Sequence, residues 1–66
     1  MPDLHVTPSG DGDWDVKRAD DGKVLSHHST REEAEIHARQ LIHEGGGGEI
    51  RLHNADGHID HAESVG

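Results

Sequence analysis

Apolar and polar residues alternate along the first part of the chain. Leu4 and Val6 stand two apart, and Pro8 through Asp13 supply turn residues, which predicts a strand followed by a hairpin turn. Trp14-Asp15-Val16-Lys17-Arg18 alternates again, with Trp14 and Val16 on one face and Asp13, Asp15 and Lys17 on the other. Asp20-Asp21-Gly22 is a second turn signal, and Lys23 to His28, carrying Val24 and Leu25, reads as a third strand. Three antiparallel strands are the economical arrangement of these segments.

The period then changes. Thr30 and Glu33 form a capping box, in which the hydroxyl takes the Glu33 amide and the carboxylate returns to the Thr30 amide. Ala34, Ala38, Leu41 and Ile42 fall in one stripe at helical spacing, opposed by Glu32, Arg39 and His43, and Gly45 ends the helix. Small alanines on the buried stripe let such a helix lie close to a sheet, with Trp14 as its bulky partner. Beyond glycines 45 to 48, Glu49-Ile50-Arg51-Leu52-His53 alternates as a fourth strand, Asn54-Ala55-Asp56-Gly57 turns, and His58-Ile59-Asp60-His61 predicts a short fifth. The reading is one α+β domain over residues 1–66: an antiparallel sheet of four to five strands (β-β-β-α-β-β), one helix on one face, and residues 62–66 as a loose tail.

Composition makes the core of such a domain thin. Apolar residues are 29% of the chain, against about 45–50% in average globular composition when Gly is included. A chain this short buries only about 60% of the surface its unfolded form exposes. The chain has no cysteine, which excludes disulfides and thiolate zinc sites as staples. No basic-then-apolar leader and no membrane-length apolar run is present, so the expected location is cytoplasmic, away from the membrane.

Fourteen Asp and Glu oppose six Lys and Arg, for a net charge of −8. Such a field repels phosphate backbones, and Trp14 is the only aromatic available for base stacking, so nucleic-acid binding is disfavoured. Acidity with little lysine and few large apolar residues also points to a halophilic, salt-adapted protein. At about 1 M salt the Debye length falls to about 3 Å, and the carboxylate repulsion that loosens the fold largely disappears.

Four short motifs in a fixed order carry a family resemblance: His5-Val6-Thr7-Pro8; Gly12-Asp13-Trp14-Asp15-Val16-Lys17; Thr30-Arg31-Glu32-Glu33-Ala34 with Ala38-Arg39 and Leu41; and His53-Asn54-Ala55-Asp56-Gly57-His58-Ile59. Over about residues 4 to 66 the chain resembles domain-of-unknown-function family 2188, small bacterial and archaeal proteins of unknown function. Val65 stands where the family pattern has a terminal aromatic, and His28 where it has an apolar or aromatic residue before the helix. The resemblance implies the five-strand fold and no activity.

Eight histidines are the loudest compositional signal, because imidazole both ligates metals and titrates near neutrality. A tight final hairpin predicts that His53 and His58 approach each other, with His61 pointing the other way. His27 and His28 face apart on their strand, and His37 and His43 lack the i, i+4 spacing of a helical zinc site. Asp11-Gly12-Asp13-Trp14-Asp15 opens like a calcium loop, but Val16 stands where Gly is required and Gly22 where Glu is required. The glycine run leaves a helix and enters a strand, the reverse of a phosphate-binding loop. No nucleophile sits in a recognisable elbow. No residue is therefore assigned a catalytic, cofactor-binding or metal-ligating role, and no cofactor is expected. Ile36 lies opposite the apolar stripe, and with a thin core and open strand edges it points to self-association as a homodimer. The leading expectation is a non-enzymatic interaction or accessory module. A histidine-based metal-binding or pH-responsive module is the first alternative, and a nucleic-acid binder using a sheet face with Lys17, Arg18 and Arg51 is the second.

Overall fold

The computed structural model describes residues 3–65. In chain order the elements are β1 (Asp3–Pro8), β2 (Trp14–Arg18), β3 (Val24–His28), α1 (Arg31–Glu44), β4 (Gly48–His53) and β5 (Ile59–Val65). The five strands form one sheet in the order β3-β2-β1-β4-β5, and α1 packs across one face of it.

The sheet is mixed, which corrects the expectation of an antiparallel one. β1–β2, β2–β3 and β4–β5 pair antiparallel, but β1 and β4 run parallel, with Val6 beside Leu52 and His5 beside Arg51. The cause is the helix. Two hairpin steps leave β3 pointing the same way as β1, and α1 carries the chain back over the sheet. β4 therefore enters in the direction of β3, on the far side of β1, as a helical crossover requires. The second correction concerns the C-terminus. Residues 62–65 are not loose but form the end of a seven-residue strand, with Ala62, Glu63, Ser64 and Val65 in register with Arg51, Ile50, Glu49 and Gly48. Gly66 of the expected tail, and Met1 and Pro2 of the expected domain, lie outside the described residues.

The helix ends follow from their residues. Thr30 is extended and its Oγ accepts the Glu33 amide at 3.1 Å, while Glu32 and Glu33 place negative charge in the first turn. At the other end the Gly46 amide donates to the His43 carbonyl (3.1 Å) and the Gly47 amide to the Ile42 carbonyl (2.9 Å). Gly46 adopts φ 92°, the left-handed turn that this termination needs.

The core is a single layer. Leu4, Val6, Val16, Ile50 and Leu52 from the sheet meet Ala34, Ala38 and Ile42 from the helix, with Trp14, Leu41 and Val65 packed at its margin. Burying an aliphatic side chain of this size contributes roughly 1.5–3 kcal/mol, so each large member carries a substantial share of the fold. Trp14 is capped by the Arg31 guanidinium, 6.0 Å from the ring centroid. At the β5 edge the helix is held by charge: Arg31 reaches Asp60 at 3.0 Å and Arg39 reaches Glu63 at 3.0 Å.

Candidate functional site

Because α1 covers only one face, every second residue of the central strands stands on the opposite, open face. Lys17, His5 and Arg51 form one row there, since His5 is in register with both neighbours. His27, Asp15 and Thr7 form the next row, and His53 follows Leu52 on the same side of β4. Asp15, Lys17, His5, Thr7, Arg51 and His53 are all half-buried, so this face is packed polar surface rather than freely solvated side chains.

Two histidines on this face are bound in different ways. His53 Nδ1 lies 2.9 Å from the Gly57 carbonyl, and a carbonyl only accepts, so Nδ1 carries the proton. In the neutral ring Nε2 is then an acceptor. His5 Nδ1, 2.8 Å away, must donate to it, which leaves a lone pair on His5 Nε2. Burial, followed by the neighbouring His53 and Arg51, lowers the His5 pKa from its ordinary value. A shallow groove of about 240 Å³ opens beside the pair, with Thr7 and Lys17 in its wall.

His27 has carboxylates instead of an imidazole. Its Nδ1 meets Asp15 Oδ1 at 2.6 Å and its Nε2 meets Asp13 Oδ2 at 2.9 Å. The Asp15 contact, then the Asp13 contact, raises its pKa. Asp11 stands next to them, its Oδ1 accepting from the Ser9 hydroxyl at 2.6 Å. On the helix side, His28 donates to or accepts from the Ser26 hydroxyl (2.9 Å), and its ring centroid is 5.0 Å from that of His37.

The structure does not bring His53 to His58. The His53 ring is taken by His5 and Gly57, and the bonds at His58 are made by its backbone, with the Asn54 side chain and carbonyl-amide pairing across the turn. His61 is in register with Leu52, on the helix side of β5. His27 and His28 do face apart. The basic face divides as well: Lys17 and Arg51 share the open side, whereas Arg18 is in register with buried Leu4 and turns to the other, where Asp21 binds it. Arg51 is itself held by Glu49 at 2.9 Å and Asp3 at 3.7 Å. The His5–His53 pair had no signal in the sequence, because it exists only through the parallel β1–β4 pairing. The Asp15–His27 pair had one, the short hairpin turn at Asp20-Asp21-Gly22, which sets the two strands opposite each other.

One family model, described as "Uncharacterized protein conserved in bacteria (DUF2188)", matches residues 4–65. No curated protein and no solved structure matches the chain. Among the described residues no helix is long and apolar enough to cross a membrane.

Proposed function

Because the chain belongs to the uncharacterised DUF2188 family, its own residues must carry a functional reading, and we propose a non-enzymatic interaction module that self-associates through β3 in high salt. The observation that supports this reading is the contrast between the two sheet edges. β5 exposes Ile59 at its start, but charge blunts the edge beyond it: Asp60 and Glu63 are each tied to a helix arginine. β3 is Val24-Leu25-Ser26-His27-His28, with no acidic residue, lysine, arginine or proline. Val24 and Leu25 are 48% and 39% exposed on it. A second copy of β3 is the occupant that fits, since pairing would satisfy the free backbone groups and cover both apolar residues.

Salt enters through charge. Two copies at −8 each repel in dilute buffer, and that repulsion is screened within about 3 Å at 1 M salt. A nucleic-acid partner fits poorly, because Arg18, Arg31, Arg39 and Arg51 all face carboxylates and have little charge left for phosphates. An enzyme fits poorly too: the groove beside His5 is shallow and open to solvent, whereas catalysis favours a concave site that excludes water.

Sedimentation or light scattering across a KCl series tests the reading. The expected result is a monomer in dilute buffer and a dimer in molar KCl, with Leu25→Lys folded but monomeric throughout. A wild-type chain that stays monomeric in molar KCl at high protein concentration overturns self-association. A dimer that survives Leu25→Lys overturns the β3 interface.

A further inference from the structure

The Ser9–Asp13 loop and β3 bring a mixed set of donors together beside β2. One carboxylate oxygen each from Asp11 and Asp13 and a ring nitrogen of His27 lie within 4.8 Å of one another. His27 follows Asp13 by 14 residues and Asp11 by 16, and is brought to them by the β2–β3 register that sets Asp15 opposite His27. The loop is folded onto itself: the Ser9 amide donates to the Asp13 carbonyl at 2.9 Å, and the Ser9 hydroxyl engages Oδ1 of Asp11, leaving its Oδ2 unused.

We propose that Asp11, Asp13 and His27 form a divalent transition-metal site, with His27 Nε2 and one oxygen of each carboxylate as ligands and water in the remaining positions. The imidazole distinguishes this cluster from the other exposed carboxylates. Its Nδ1 is held by Asp15 at 2.6 Å, so Asp15 occupies the outer position from which a carboxylate fixes the tautomer of a ligating histidine and aims its other nitrogen. Nε2 is thereby directed at Asp13, 2.9 Å away. A metal takes the place of the proton that otherwise lies between them. Asp15 is the less exposed of the two carboxylates that flank His27, at 13% against 37% for Asp13, as suits a supporting group behind an accessible ligand.

The donor set selects the ion. One imidazole and two carboxylates suit Zn²⁺, Co²⁺, Ni²⁺ or Mn²⁺. Calcium, which takes six to eight oxygens as a rule, is poorly served by a site with a nitrogen at its centre and three protein ligands. The acidic chain concentrates divalent cations near its surface. The loop that fails as a calcium loop thus supplies two ligands of a different site, completed by a strand it does not contain. All four residues belong to one chain, so the site needs no second copy, and a titration in low salt reads it with the β3 edge that carries His27 unpaired.

The test uses tag-free full-length protein, cleared of metal with a chelator, titrated with Zn²⁺ and separately with Mn²⁺ and Ca²⁺. Calorimetry and ¹H–¹⁵N spectra of the histidine rings are followed at near-neutral pH in low salt. The expected result is one Zn²⁺ per chain, with the first and largest change at His27 and little affinity for Ca²⁺. His27→Gln and Asp13→Asn should each abolish the site, and Asp15→Asn should weaken it by about 10- to 100-fold without removing a ligand. Zn²⁺ that perturbs His53, His58 or His61 first, or affinity unchanged by His27→Gln in a folded variant, overturns the proposal. An equal response to Ca²⁺ and Zn²⁺ that Asp15→Asn leaves intact reduces the site to ordinary carboxylate screening and overturns it as well.

Discussion

His5 and His27 stand on the same face of the same sheet, one row apart, and their surroundings shift their pKa values in opposite directions. His5 is half-buried, donates a hydrogen bond to another imidazole, and has the Arg51 guanidinium nearby, so the fold favours its neutral form. His27 lies between Asp15 and Asp13, so the fold favours its cation. The difference owes nothing to residue type and little to position within a strand. It is made by surroundings: burial, and then the His53 that a parallel partner brings near, act on His5, whereas an antiparallel partner brings Asp15 to His27.

The two contributions to stability therefore belong to different pH ranges. For His27, whose folded pKa lies above the ordinary value of about 6.5, the stabilisation is complete below that value and disappears as pH rises through the folded pKa. For His5, whose folded pKa lies below it, the stabilisation is present above that value and disappears as pH falls through the folded pKa.

The most severe way to break the contrast is to remove the packing beneath it. Ile50 is fully buried under the β1–β4 pair, and Ile50→Ala should cost about 2–5 kcal/mol. A domain of this length has a total stability of roughly 3–10 kcal/mol. Circular dichroism should show a population largely unfolded at 37 °C, and the ring resonances of His5 and His27 should then titrate together. A smaller and selective break is His53→Ala, which removes the acceptor for the His5 proton. Chemical denaturation at pH 7.5 should show a loss of about 1 kcal/mol, with the His5 titration moving up and that of His27 unchanged.

Asp15→Asn sharpens the other half. It removes the leading cause of the His27 shift, so in metal-free protein the His27 midpoint should fall while His5 stays in place, read by NMR titration. His27→Gln should narrow the wild-type advantage to nothing above the folded pKa of His27 and leave it visible near pH 6, as measured by melting temperature across pH. The gentlest test is salt. Molar KCl should lower the His27 midpoint, because its exposed ion pairs are screened, and should move His5 less, because burial is the leading cause there.

Much of the fold could be read from local chemistry. Thr30 and Glu33 marked the start of the helix, the glycines after Glu44 marked its end, and Trp14 and Val16 separated from Asp15 and Lys17 by simple alternation. What was not legible depended on partners distant along the chain. Nothing in Leu4–Thr7 or Glu49–His53 states that these segments are neighbours, let alone parallel ones. The His5–His53 pair was hidden for that reason, and His58, the near neighbour of His53 in sequence, was the wrong partner to expect. The final strand was under-read because Ala62 and Ser64 face outward and Glu63 is polar. Its length is set by backbone pairing to β4 and by the Arg39–Glu63 ion pair, neither of which leaves an apolar alternation.

β1 precedes the other four strands of its sheet along the chain and is the central strand of that sheet. A ribosome releases β1, β2 and β3 as a meander that already has its local turns, yet one long side of β1 waits for β4, whose Ile50 pairs with Leu4. Closing that contact spans most of the chain, and the entropy of so long a closure is lost before its hydrogen bonds form. The order of synthesis and the order of assembly thus run against each other, and a nascent chain halted before Gly48 exposes the flank of its own central strand.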